Sequence, residues 1–158
     1  MNSNQKEITS SNLRWMISRD YTRVLEIEEC SFDYPWSRFQ LVSCLRQRNT
    51  IGMVVEQDDV ILGFMIYELH KKSIELASFA VAPEHRRSGV GSAMVDRLKK
   101  KLSFQIRSSV FLHVRETNLD AQLFFRRCEF RAISVMRDFY DDVPEDAYLM
   151  QYKYRGGW

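Results

Sequence analysis

The sequence predicts a mixed α/β domain of the α+β kind: about seven mostly antiparallel strands flanked by helices. Three observations carry this. The chain has 158 residues, 45% hydrophobic and 28% charged, which suits one globular domain with a real core. Most of the apolar segments are short and bounded by turn residues, as strands are. Between two of them the apolar period changes to that of a helix, which makes one βαβ-type unit inside an otherwise antiparallel sheet.

The elements follow in order. Met1–Asn12 is polar and reads as a flexible leader; positions 13–155 form the domain and 156–158 a tail. Leu13–Ile17 is a short strand. Ser18 is placed to cap a helix over Arg19–Cys30, with Val24, Ile27 and Ser31 on one side. Pro35-Trp36 breaks the chain, and Ser37 caps a second helix through Gln47. Thr50–Glu56 and Val60–Leu69 flank Gln57-Asp58-Asp59 as a hairpin, and Ile74–Val81 follows a turn at Lys71-Lys72. Met94, Val95, Leu98 and Leu102 recur at helical spacing, so Val90–Leu102 is a helix, with Lys99, Lys100 and Lys101 as its solvated end.

Ser109–Arg115 is the next strand. Val110, Leu112 and Val114 share one face; Phe111, His113 and Arg115 share the other. Ala121, Phe124, Phe125 and Cys128 give a helical stripe over Leu119–Cys128. Phe130–Met136 and Ala147–Tyr154 close the sheet around the acidic loop Asp138–Asp146.

Composition excludes several classes. Lys+Arg 23 against Asp+Glu 21 leaves +2, too little for a general nucleic-acid coat. No apolar run approaches the roughly 20 residues of a membrane helix, and the N-terminus carries no signal-peptide core, so a cytoplasmic protein is expected. Cys30, Cys44 and Cys128 form no CxxC pair and are expected as buried free thiols. His70, His85 and His113 lack metal-ligand spacing, and no metal is expected.

The most specific segment is Val81-Ala-Pro-Glu-His-Arg-Arg-Ser-Gly-Val-Gly-Ser92, running from a strand end into an amphipathic helix. Gly89 and Gly91 allow a ligand to approach the main chain, and free N–H groups at a helix start form an anion site. Arg86 and Arg87 add charge. Neither GxxxxGK[ST] nor GxGxxG is present.

Arg86-x-x-Gly89-x-Gly91 at such a junction resembles motif A of the GCN5-related N-acetyltransferases, and the resemblance extends from Leu13 to Tyr154. Within that superfamily the chain is most similar to the RimI-type ribosomal-protein alanine N-acetyltransferases. The similar segments are Ile27–Phe32 before Pro35-Trp36-Ser37, Leu112–Arg115 with Asn118, Phe124-Phe125 before Phe130, and Arg137–Tyr140 with Glu145–Ala147 and Met150.

The resemblance implies a GNAT-like sheet whose central parallel pair splays, and acetyl-CoA as cosubstrate. It implies main-chain bonds to pantetheine along Phe79–Val81, and pyrophosphate binding around Arg86, Arg87, Gly89, Val90, Gly91 and Ser92. It implies contacts from Asn118 and Phe125 to the pantetheine arm. Asn118 is equally a helix N-cap. The implied acceptor is the α-amine of a protein or peptide, a ribosomal protein among the candidates, with no direct nucleic acid and no membrane.

Two positions depart from the RimI pattern: His113 stands where a glutamate base is usual, and Phe125 where a tyrosine acid is usual. Glu129 also replaces a helix-ending glycine. His113 resembles instead the histidine of NatE-type N-terminal acetyltransferases, where it serves in deprotonation. Glu75 occupies the place of the catalytic glutamate of the histone-acetylating branch. His113 and Glu75 are therefore the candidate bases, each also readable as an ordinary strand residue. Tyr140 is either a packing aromatic or a wall of the acceptor cleft. The alternatives to peptide acetylation are a non-catalytic CoA-binding module and transfer to a small-molecule amine.

Overall fold

Seven strands and four helices among the described residues follow in the order the sequence indicates. The computed structural model describes residues 6–156. The strands are β1 (Leu13–Trp15), β2 (Thr50–Gln57), β3 (Val60–Leu69), β4 (Ser73–Val81), β5 (Ser109–Arg115), β6 (Arg131–Met136) and β7 (Ala147–Lys153). The helices are α1 (Tyr21–Ser31), α2 (Arg38–Leu45), α3 (Val90–Lys100) and α4 (Leu119–Arg127). The order across the sheet is β1-β2-β3-β4-β5-β7-β6. β4 and β5, joined through α3, pair in parallel; β5–β7 and β6–β7 are antiparallel. The parallel register links Ser73, Ile74 and Glu75 to Ser109, Val110 and Phe111, while β4 continues to Val81 and β5 to Arg115.

Chain contacts divide the molecule into two compact units. The first comprises the chain up to Ile66 with Ser78–Arg97; the second comprises Tyr67–Ala77 with Leu98 onward. Val24, Ile27, Leu41, Phe64 and Met94 are buried in the first. Ile74, Leu98, Val110, Phe130 and Tyr152 are buried in the second. The alternation expected for β5 holds: Val110, Leu112 and Val114 are buried, and Phe111, His113 and Arg115 are half-buried.

Local chemistry sets the element ends. Ser37 caps α2 in a reciprocal box, its Oγ accepting from the Gln40 N–H (3.2 Å) and its N–H donating to Gln40 Oε1 (2.8 Å). α1 starts later than expected, behind a 3₁₀ turn at Ser18–Asp20. The cause is Asp20, whose carboxylate accepts from the Ile17 N–H (2.9 Å) and from both Arg14 Nη groups (2.8 and 2.9 Å). The β2–β3 turn places Asp58 (φ 51°) and Asp59 (φ 64°) in the left-handed region, as a two-residue hairpin turn requires.

Two expectations are corrected. The cysteines are not buried: Cys30 is exposed, because Glu28 rather than Cys30 takes the core-facing place beside Val24 and Ile27, and Cys44 and Cys128 are half-buried. Lys99 is not part of a solvated helix end. It is buried, with its ammonium 4.4 Å from the centre of the Tyr152 ring. The leader is described from Lys6 on, where the Lys6 carbonyl accepts from Gln57 Nε2 (3.0 Å) and Asn12 Nδ2 donates to the Glu56 carbonyl (3.0 Å). Met1–Gln5 and, in the tail, Gly157 and Trp158 lie outside the described residues. No helix among the described residues is long and apolar enough to cross a membrane.

Candidate active site

In the first unit, the end of β4 leads into the Arg86–Ser92 loop, the segment expected from the sequence to receive an anion. The Ala82 N–H donates to the Leu62 carbonyl on β3 (2.8 Å). Strand alternation therefore turns the N–H of Val81 toward the opposite edge of β4, which Phe79 shares. β3 lies close here because Gly63 has no side chain: a Cβ there would sit 2.9 Å from the Ala80 carbonyl oxygen.

Past a 3₁₀ turn at Pro83–His85, Arg87 (φ 60°) and Gly89 (φ 86°) both adopt left-handed backbone. Alternation of this kind curls successive N–H groups around a concavity that suits an anion. The Gly89 carbonyl accepts the first helical bond, from Ala93 N–H (3.0 Å). The N–H groups of Val90, Gly91 and Ser92 thus begin α3 without intrahelical acceptors. A Cβ built on Gly89 meets nothing within 4 Å, so the space in front of the loop is open.

Arg86 behaves differently from Arg87. Its Nε donates to the Val81 carbonyl (3.2 Å) and its Nη2 to Ser31 Oγ (3.3 Å), tying the loop to β4 and α1. Arg87 is exposed. Beneath, Glu28 is buried with both oxygens occupied: Trp36 N–H donates to Oε1 (3.2 Å) and Ser78 Oγ to Oε2 (3.0 Å). Burial pushes its carboxyl above the ordinary range, against the pull of those two bonds.

In the second unit, the half-buried face of β5 meets β4. Glu75 Oε2 lies 4.0 Å from His113 Nδ1, and Glu75 Oε1 is 3.1 Å from His70 Nε2. The structure thus brings both candidate bases together and joins a third titratable group to them. The His113 ring stacks on Phe139 (4.3 Å between centroids, 16° between planes). Burial lowers the His113 pKa below its usual 6.5, and the Glu75 carboxylate partly opposes this. The net shift favours the neutral imidazole.

Tyr140 is half-buried. The Arg115 guanidinium lies 3.7 Å above its ring. Arg115, at the end of β5, also bonds Asp142 Oδ2 (2.6 Å) and Glu145 Oε2 (3.0 Å), pairing two of the five carboxylates of the acidic loop. Burial raises the Tyr140 pKa, leaving the phenol protonated. Asn118 caps α4, its Oδ1 accepting from the Ala121 N–H (3.2 Å). Phe125 is buried, edge-on to Phe124 (5.0 Å) and Phe130 (5.3 Å). A groove of about 700 Å³ lined by α4, β6 and β7, including Leu123, Arg126, Arg131 and Tyr148, contains none of the expected site residues.

The profile of the acetyltransferase (GNAT) family matches residues 12–130. The chain belongs to that family. The acetyltransferase is 26% identical over 138 residues to the [ribosomal protein bS18]-alanine N-acetyltransferase of Haemophilus ducreyi, covering 85% of this chain and 94% of that one. Its fold matches the ribosomal-protein-S18-alanine N-acetyltransferase crystal structure from Escherichia coli with a TM-score of 0.76, at 22% identity and over 92% and 95% of the two chains. It also matches Arabidopsis thaliana NAA60 in complex with acetyl-CoA, with a TM-score of 0.76 at 17% identity over 89% and 98%.

Sequence reasoning did not single out three residues of this acetyltransferase. Glu28 is signalled only as a carboxylate on the apolar side of α1, and Arg115 only as a cation sharing the His113 face. His70 carries no local signal, since its partner Glu75 comes from the next strand.

Proposed function

We propose that the protein acetylates the N-terminal α-amine of a protein or peptide, with acetyl-CoA as the donor. The observation that carries this reading is the left-handed pair Arg87 and Gly89 immediately before the unsatisfied N–H groups of α3. Arg87, Gly89, Val90, Gly91 and Ser92 hold the pyrophosphate, chiefly by main chain. Arg86 shapes the loop from behind. Main-chain groups on the Phe79–Val81 edge receive the pantetheine arm, and Asn118 both caps α4 and borders that arm. Phe125 supports the site by packing.

His113 removes the proton of the attacking ammonium, and Glu75 steadies the imidazolium that forms. The amine then attacks the thioester carbonyl, and a main-chain N–H near Val81 stabilises the developing oxyanion. The thiolate of CoA leaves without obligatory protonation, because a thiol pKa is near ~8.5, and the extra proton on the acylated nitrogen passes to solvent. The lack of a tyrosine hydroxyl at Phe125 is therefore tolerated; general-acid help is worth only about 10²–10⁴-fold. Tyr140, carried on Arg115, forms a wall for the acceptor. The peptide acceptor is supported by the relatives named as [ribosomal protein bS18]-alanine N-acetyltransferases. A ribosomal or nascent N-terminus as acceptor puts the activity in the cytoplasm.

The deciding experiment measures CoA thiol release from acetyl-CoA with peptides beginning Ala, Ser or Met, against spermidine as competitor. Peptide-dependent release with little spermidine turnover is expected. Equal turnover of spermidine moves the reading to small amines, and tight CoA binding without release moves it to a binding module.

A further inference from the structure

The turn between β3 and β4 gathers three potential metal ligands. The His70 N–H donates to the Ser73 carbonyl (2.9 Å) across Lys71-Lys72, a two-residue turn. That register sets Glu68 on β3 opposite Glu75 on β4. Two carboxylates placed directly opposite on neighbouring strands repel one another. His70 lies between them, its Nε2 3.1 Å from Glu75 Oε1 and 3.6 Å from Glu68 Oε2. One imidazole nitrogen carries one proton or one lone pair, so it bonds one of these oxygens well and leaves the other poorly served.

We propose that Glu68, His70 and Glu75 form a binding site for a divalent transition-metal ion of the zinc class. One ligand atom from each residue lies within 4.8 Å of the other two. Tetrahedral zinc with bonds of about 2.0–2.2 Å separates its ligand atoms by roughly 3.3–3.6 Å, close to the two distances at His70. The ion replaces the proton on Nε2 and balances both carboxylates.

The histidine is positioned in advance. Arg107 Nε donates to its carbonyl (2.7 Å), and its ring stacks on Phe111 (6.0 Å, 27°). Glu68, His70 and Glu75 are 24%, 39% and 27% exposed at their side chains, enough to admit an ion and leave it a water ligand. Lys71 and Lys72 are exposed at the turn, where solvent screens their charge. An imidazole with two carboxylates favours Zn²⁺, Co²⁺ and Ni²⁺ over Mg²⁺ and Ca²⁺.

His113 Nδ1 is 4.0 Å from the second oxygen of Glu75, so an ion held there lies within reach of the His113 ring signals.

The test uses untagged full-length protein carrying Cys30→Ser, which removes an exposed thiol as a rival ligand. Calorimetry with ZnCl₂ should show one equivalent bound, weakened at least tenfold by His70→Ala and by Glu68→Gln, with MgCl₂ giving no heat of binding. Substoichiometric Co²⁺ should broaden the NMR ring signals of His70 and His113 and spare His85. Absence of zinc uptake, equal uptake by both variants, or broadening centred on His85 overturns the site.

Discussion

Arg87 and His113 stand for two ways of building a site within one chain. Around Arg87, in the first unit, the proposed recognition falls to the backbone: Arg87 and Gly89 are left-handed, and Arg86 is spent on Val81 and Ser31. Around His113, in the second unit, β4, β5 and the Phe139 loop bring together side chains for the proposed base: an imidazole, a carboxylate and a stacking ring. Recognition by main chain tolerates side-chain change but not a change of backbone angle or added bulk. A side-chain cluster has the opposite sensitivity.

The largest expected effect tests the side-chain half. His113→Ala should lower kcat about 10²-fold or more, the scale of general-base catalysis, while leaving the KM for acetyl-CoA within about twofold. Steady-state kinetics with a peptide acceptor checks this. An unaltered kcat would remove the base from His113 and collapse the contrast between the units.

Next in size is the main-chain half. Gly89→Val puts a β-branched residue at φ 86° with open space before it. A non-glycine residue in left-handed backbone costs about 1–2 kcal/mol, and the side chain enters the space kept for an anion. CoA affinity should fall at least tenfold by calorimetry, with the circular dichroism spectrum unchanged. Arg87→Ala should weaken CoA less than Gly89→Val does. The reverse order would mean that charge rather than backbone carries recognition.

A smaller effect reads the Glu75–His113 contact. Burial holds the His113 pKa below 6.5, and Glu75 opposes that shift. The acid limb of kcat/KM should accordingly fall below pH 6.5, since activity requires the neutral imidazole. Glu75→Gln removes the opposing charge, so its limb should move to still lower pH, with a reduced kcat. A limb that moves upward would show that Glu75 does not act on His113.

The same contrast explains which features were legible in the sequence. The strand–loop–helix junction around Arg86–Ser92 was readable because its signals are local: two glycines, a strand before and a helix period after. The Ser37–Gln40 box and the alternation of β5 are local too. His70 beside Glu75 depends on a turn register, and the buried Glu28 on which face of α1 packs inward. Lys99 sits over Tyr152, a partner from the last strand. Such pairings are set by tertiary contact and leave no periodic trace.

The smallest expected effect separates left-handed backbone used for binding from left-handed backbone tolerated for folding. Glu129 has φ 71°, close to Arg87, but closes α4. Its N–H donates to the Arg126 carbonyl (3.0 Å), and the Phe130 N–H reaches back to the Phe125 carbonyl (2.9 Å). These are the paired bonds of a helix end that favours glycine. Glu129→Gly relieves about 1–2 kcal/mol of backbone strain. Against this stand about 0.4–1 kcal/mol from the freer unfolded chain and a few tenths from an exposed ion pair. The pair lost is that with Arg155 (3.0 Å). The net gain is about 0.5 kcal/mol, or roughly 1–2 °C in Tm for a chain of this size. Thermal unfolding checks it, and CoA affinity should not change. Arg87→Gly relieves the same strain but removes a charge at the anion loop, so its Tm should rise while its CoA affinity falls. If both substitutions left CoA affinity unchanged, the Arg87 guanidinium would have no part in binding, and the loop would act through its backbone alone.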